Sequence, residues 1–244
     1  MNFFYFVFSL FVLGGIFCVF FDQAVLTRRG TIYRKQTNHP QVAITFDDGP
    51  SEEWTPKILA VLKKERVRAT FFMLGQHVQQ FPHVARRVVD DGHQIGNHGY
   101  SHHVMLYYTL PEIENEIRYT QHIIQQATGK KTNVFRPPKA WLRNAVKAKI
   151  NSLGYEIVLW SLNTKDWVCF NHKRIVKNIL RNIKPGDILL FHDSGNIFHS
   201  QGGNRRQTVK AIDLLIQKLK KKNYQIVTIE ELLSYENNLR TTPA

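Results

Sequence analysis

Two adjacent carboxylates, Asp47 and Asp48, stand in the segment TFDDGP at 45–50, at the end of a short apolar run and before a Gly-Pro turn. Successive side chains at a strand end point to different sides, so one acid can hold a cation while the other faces a water molecule beside it. An Asp-Gly turn with solvated acids has the same signature. His98 and His102, four residues apart in NHGYSHH at 97–103, can converge on one ion if the segment is helical or tightly turned. Two imidazole nitrogens and a carboxylate oxygen suit zinc or a related divalent metal. A His-rich surface loop is the plainer alternative; His103 is the poorer ligand by spacing, and His93 reads as structural. The apolar run GDILLFHD at 186–193 ends in His192. A histidine there can give a proton to a leaving group if a carboxylate keeps it charged; a packed strand-end His is again the alternative.

These groups need a scaffold that gathers them. Apolar runs predict strands at 41–46, 69–73, 94–96, 134–136, 156–161, 187–192 and 225–228. Amphipathic stretches between them predict helices at 55–65, 82–91, 111–128, 144–153, 173–183 and 208–222. Pro111 at the first turn and Gly129 just past the end mark the third of these helices. About seven strand-helix units predict an α/β fold, a parallel barrel, complete or incomplete, whose reactive groups collect at the C-terminal strand ends. The reactive residues named above all fall at or just beyond those ends. Residues 194–206, rich in Gly, Asn and Ser, read as an exposed loop, and the tail from 235 reads as frayed.

The 244 residues support one catalytic domain at 41–235, a basic connector at 27–40 and a flexible tail at 236–244. Residues 3–21 carry no charge and have the length of a bilayer span, so 1–26 reads as a transmembrane anchor or uncleaved signal. Arg28, Arg29, Arg34 and Lys35 follow that span and favour the cytoplasmic side for what comes next. A net charge of +14 implies attraction to polyanions. Cys18 and Cys169 make no disulfide framework, and Cys169 reads as a packed small side chain.

Taken together, TFDDGP, GHQIGNHGYSHH, FRPPK, WSLNTKDW, ILLFHD and RRQTVKAI occur in the order found in the polysaccharide deacetylases of the NodB-like group, and the chain resembles that family over 41–233. The group includes peptidoglycan N-acetylglucosamine and chitin deacetylases. The resemblance implies a distorted (β/α) barrel of about seven strands and one divalent ion, Zn2+ foremost with Co2+ or another ion as options, on Asp48, His98 and His102. It implies Asp47 as general base oriented by Arg136, and His192 as general acid paired with Asp166. It places Trp167 and Leu190 around the acetyl methyl; the family's aromatic at 139 offers its backbone N–H to the oxyanion, a role open to the main chain of Lys139, and Trp141 is the candidate for the missing aromatic surface beside the substrate. The implied substrate is an N-acetylated glycan such as peptidoglycan or a chitin-like polymer, handled by a monomer outside the cytoplasm and without nucleic acid. Each of these residues also has a plainer reading: Arg136 as a loop brace, Asp166 as a cap, Trp167 and Leu190 as core.

Four positions depart from the family pattern. Gly99 replaces Thr or Ser, Lys139 an aromatic, Ala140 a Gly, and Asn163 a residue often acidic. Two other functions fit the same features: a deacylase of a lipid-linked sugar at the cytoplasmic membrane face, and an inactive membrane-tethered binder of polyanions.

Overall fold

The computed structural model of the chain describes residues 5, 7, 8, 22, 24–195 and 200–239, with side chains through 234. β1 (Gln41–Asp47) lies at the centre with every residue buried. Its alternation decides what each face does. Val42, Ile44 and Phe46 point outward into one apolar cluster with Phe71, Leu189 and the helices, where Phe46 stacks on Phe71 at 4.8 Å. Ala43 joins the opposite, interior cluster with Phe72, Phe135 and Leu190. Ala43 and Thr45 are small, and the fully buried side chain of Arg136 reaches Thr45 on that face. Burying each of these large side chains contributes roughly 1.5–3 kcal/mol.

The sheet is parallel throughout and runs β5 (Glu156–Ile157), β4 (Val134–Phe135), β3 (Gln94–Asn97), β2 (Thr70–Met73), β1, β7 (Ile188–His192), β6 (Leu162–Asn163). β8 (Gln225–Val227) pairs with the first residues of β1, below β2, which pairs with the last ones. The single strand expected at 156–161 is divided. Its start pairs with β4 and its continuation, β6, with β7, so one stretch of chain touches both ends of the sheet. Between the two, Leu159 N–H donates to the Ile32 carbonyl at 2.7 Å. Bridges from Ile32 to Val158 and from Arg34 to Asp187 carry the N-terminal segment across the same seam. With β5 and β6 counted as one interrupted strand, the curled sheet has the seven strands of the expected barrel.

Helices cover the outside: α1 (Trp54–Glu65), α2 (Gly75–Gln80), α3 (Pro82–Asp90), α4 (Leu110–Thr128), α5 (Asn144–Ser152), α6 (His172–Asn182), α7 (Arg206–Lys221) and α8 (Ile229–Leu239). α4 starts at a Thr109/Glu112 capping box and stops at Gly129, whose φ of 73° is left-handed. α2 and α8 were not expected. α2 is a single short segment with one small apolar face, and α8 begins inside the sequence TIEE, where Thr228 and Glu231 cap each other. Ile229 and Leu232 are buried and anchor its first turn, and the helical backbone extends to Leu239, into the tail expected to fray from 235.

Among the described residues no helix is long and apolar enough to cross a membrane. The span expected at 3–21 lies outside the described residues, Tyr5, Val7 and Phe8 excepted. Two of the cations that bore on its orientation serve the barrel: Arg34 pairs with buried Asp187 at 2.6 Å, and Arg28 donates to the Trp160 carbonyl and lies over the Tyr33 ring.

Candidate active site

Asp48 follows β1 in the left-handed region, φ 74°, a strained choice for a non-glycine residue. Hydrogen bonds hold it there. His77 on α2 donates from Nδ1 to the Asp48 carbonyl at 2.6 Å, and Leu74 N–H donates to the Gly49 carbonyl at 2.9 Å. Glycine at position 49 leaves room for Asp193: a Cβ there would lie 2.2 Å from a carboxylate oxygen of Asp193, which would have to give up its place beside Thr55.

The second turn leaves β3 at Asn97, whose buried amide donates to the Ile117 carbonyl and accepts from Gly99 N–H. Glu116 on α4 accepts from the N–H groups of Tyr100 and Ser101 at 2.7 and 3.1 Å. Gly75 N–H, at the start of α2, donates to the Gly99 carbonyl at 2.9 Å, so α2 ties both turns together. Gly99 has φ 78°, a conformation that costs glycine nothing. The departure from Thr or Ser therefore relaxes the backbone, while Glu116 supplies the rigidity.

His98 donates from Nδ1 to the Arg136 carbonyl at 2.7 Å, which fixes its tautomer and leaves the Nε2 lone pair free. That Nε2 lies 3.4 Å from Asp48 Oδ1, and His102 Nε2 lies 3.1 Å from the same oxygen. The ligand atoms of Asp48, His98 and His102 lie within 4.8 Å of one another. Asp48 Oδ1 is buried and accepts no hydrogen bond. Burial would raise the pKa of Asp48, but His102 and His98 outweigh it and hold the carboxyl well below its ordinary value. A buried, ionised, unsatisfied oxygen facing two imidazole nitrogens fits a divalent cation.

Asp47 and His192 are register partners on β1 and β7, so they stand at one level on neighbouring strands. Arg136 donates from Nη1 to Asp47 Oδ1 and to Thr45 Oγ1, both at 2.7 Å, and from Nε and Nη2 to the carbonyls of Val158 and Leu159, both at 3.0 Å. Its guanidinium lies 4.0 Å from the centre of the Phe72 ring. This is no surface loop brace; the fork fixes one oxygen of Asp47 and leaves the other, 3.9 Å from His98 Nε2, toward the cation site. Arg136→Lys keeps the charge and loses the fork. Two stranded buried carbonyls would cost roughly 2–4 kcal/mol in denaturant melts, and a misplaced base would lower kcat about 10–100-fold.

His192 Nδ1 lies 2.9 Å from Asp166 Oδ1, and Asp166 also accepts from His192 N–H and, at 2.7 Å, from Thr208 Oγ1. Burial disfavours the imidazolium, yet the Asp166 carboxylate more than offsets it, and the His192 pKa is raised above its ordinary value. Next to it, burial pushes the Asp193 carboxyl up to about 7 while Thr55 donates to it at 2.6 Å.

The structure thus brings together Asp47, Asp48, His98, His102 and Arg136, and separately His192 with Asp166 on the adjoining strand end. Leu190 is buried in the interior cluster and Trp167 is half-buried after β6. Lys139 is exposed in the turn after Arg136 with φ 56°, Ala140 follows at φ 57°, and Trp141 is 38% exposed. Asn163 Oδ1 accepts from Lys165 N–H at 3.0 Å, a task an acid would do equally well. Sequence reading missed His77, Glu116, Asp193 and Thr208. His77 and Glu116 act on main-chain atoms and leave no motif; Asp193 adjoins His192 and Thr208 lies inside RRQTVKAI, so both were within sight.

The sequence model described as polysaccharide deacetylase matches residues 34–158. A peptidoglycan-N-acetylglucosamine deacetylase of Bacillus cereus is 37% identical over 202 residues, 82% of this chain and 91% of that protein. The peptidoglycan-N-acetylmuramic acid deacetylase PdaA of Bacillus subtilis is 31% identical over 221 residues, 89% and 80% of the two chains. Among solved structures, a peptidoglycan N-acetylglucosamine deacetylase in complex with an N-hydroxybenzamide superposes with a TM-score of 0.79 at 34% identity, covering 83% of this chain and 92% of that one. With the motifs, the barrel and these relatives in agreement, the chain belongs to the polysaccharide deacetylase family.

Proposed function

We propose that the protein is a metal-dependent hydrolase that removes N-acetyl groups from N-acetylglucosamine units of peptidoglycan, releasing acetate. The observation that carries this reading is the Asp48, His98, His102 cluster flanked by an arginine-bound carboxylate and a carboxylate-bound imidazole. Asp48, His98 and His102 would hold the ion, and two nitrogens with one oxygen favour Zn2+, with Co2+ as an alternative. Such an ion supplies Lewis acidity at the acetyl carbonyl and lowers the pKa of water.

Asp47, held by Arg136, takes the proton of the attacking water. The Lys139 N–H meets the oxygen that gains negative charge. An amine leaves poorly as an anion, so His192 must start protonated, and Asp166 keeps it so. Trp167 and Leu190 close around the acetyl methyl, with Trp141 beside the sugar. Retention of every ligand, of the base and of the acid weighs against an inactive polyanion binder. A membrane anchor at 3–21 and an extracytoplasmic catalytic domain belong to the same proposal, which the structural use of Arg28 and Arg34 supports: those cations have a reason to be present other than topology.

Acetate release from peptidoglycan, chitin oligosaccharides and poly-N-acetylglucosamine, with and without a chelator, tests the reading. Release from peptidoglycan that stops with chelator and returns with Zn2+ or Co2+ is expected. No release from any of the three by metal-loaded protein would sink it.

A further inference from the structure

Close in sequence to the residues that brace the His192 flank are those that line a cavity the reaction leaves unused. Thr55, which holds Asp193, follows Trp54 directly; Thr208, which holds Asp166, lies two residues after Arg206. Between the starts of α1 and α7 lies a groove of about 600 Å3, lined by Glu53, Trp54, Lys57, Asn204, Arg206 and Lys210 among others. Its single acid is occupied: Glu53 takes Lys57 at 2.8 Å, and the Lys57 ammonium lies 4.2 Å from the centre of the Trp54 ring. Among the described residues, Arg206 and Lys210 have no carboxylate partner. Both stand at the start of α7, whose first turn holds no acidic residue. The positive end of a helix repels cations and attracts anions. An aromatic face, two uncompensated cations and a helix start therefore converge on one groove.

Its place indicates the occupant. α1 and α7 begin after the strand ends that carry Asp47 and His192, so the groove lies on the barrel face that receives the polymer. We propose that the groove holds a neighbouring sugar of the glycan that bears a carboxylate, its ring face against Trp54 and its carboxylate on Arg206 and Lys210. The inference rests on the deacetylase reading and narrows it: the preferred substrate is an acidic glycan rather than a neutral, chitin-like one.

The test pairs Arg206→Gln with Lys210→Gln in one protein, and uses Trp54→Leu as a second variant. Kinetics are compared on peptidoglycan fragments with free carboxylates, on the same fragments with carboxylates amidated, and on neutral N-acetylglucosamine oligomers. The double variant should raise KM about ten-fold on the free-carboxylate fragments and less than about two-fold on the other two, with kcat nearly constant and the difference shrinking in 0.5 M salt. Equal losses on all three substrates, or no loss on any, would overturn the groove's assignment. Calorimetric binding of the free-carboxylate fragments to Asp47→Asn protein, with and without the two glutamines, reads the groove independently of turnover. A ten-fold weaker affinity with the glutamines supports it even if no substrate releases acetate, and unchanged affinity refutes it.

Discussion

Asp47→Asn should lower acetate release by about 10²–10⁴-fold, the range associated with a positioned general base, while metal content stays at the wild-type level. The change is nearly isosteric, so the amide oxygen can still accept from Arg136 Nη1, 2.7 Å away in the native pair. What disappears is basicity. Arg136 keeps Thr45, Val158 and Leu159 as acceptors, so the barrel still forms. The buried guanidinium does lose its counter-charge, which costs roughly 3–5 kcal/mol when a buried pair is broken, and the melting temperature should fall accordingly. Acetate production, metal content and melting, measured on one preparation, separate these effects. Turnover near the wild-type rate would remove Asp47 from the role of base.

His192→Ala should cost about 10²–10⁴-fold on the amide substrate and far less on an aryl acetate ester, because a phenolate leaves without being protonated. The contrast between the two substrates identifies an acid rather than a structural residue. Asp166→Asn probes the same step through pH. With the carboxylate gone, the burial that disfavours the imidazolium is no longer offset, so the alkaline limb of kcat/KM should move to lower pH. An unmoved limb would mean that His192 is not the group titrating there.

The sign for stability follows from the same pair. The raised His192 pKa contributes stability below its unfolded value, about 6.5, and that contribution is lost as pH rises through the higher folded value. Burial would raise the Asp166 pKa, but His192 lowers it overall. Asp166 thus contributes above its unfolded value, about 3.9, and loses that contribution as pH falls through the depressed folded one. Both contributions are present together between about pH 4 and 6.5.

Much of this arrangement was legible in the sequence, for a physical reason. Barrel strands are short apolar runs, and the functional groups sit at their last residue or one or two residues beyond; Asp47, His98, Arg136 and His192 all did. Helices with clear caps, such as α4, were read to within a residue or two. Continuity failed at the seam, where one stretch pairs first with β4 and then with β7, since hydrophobic pattern does not record a change of partner. Braces acting through the main chain stayed invisible for a related reason. His77 to the Asp48 carbonyl and Glu116 to two N–H groups leave no spacing to read, because their partners are backbone atoms that every residue carries. The departures at 99 and 163 fit the local backbone, Gly99 through its positive φ and Asn163 through the Lys165 N–H, whereas Lys139 and Ala140 form an unusual left-handed pair beside the site.

Everything chemical here depends on three side chains, drawn from two separate turns, gripping a single ion. Metal analysis with calorimetric Zn2+ titration of the native protein and of Asp48→Ala addresses that directly. One ion per native chain, and a loss of affinity of at least a hundred-fold in the variant with its fold retained, is the predicted result. Undiminished binding by Asp48→Ala, or a native protein that takes up no divalent ion at all, would contradict it.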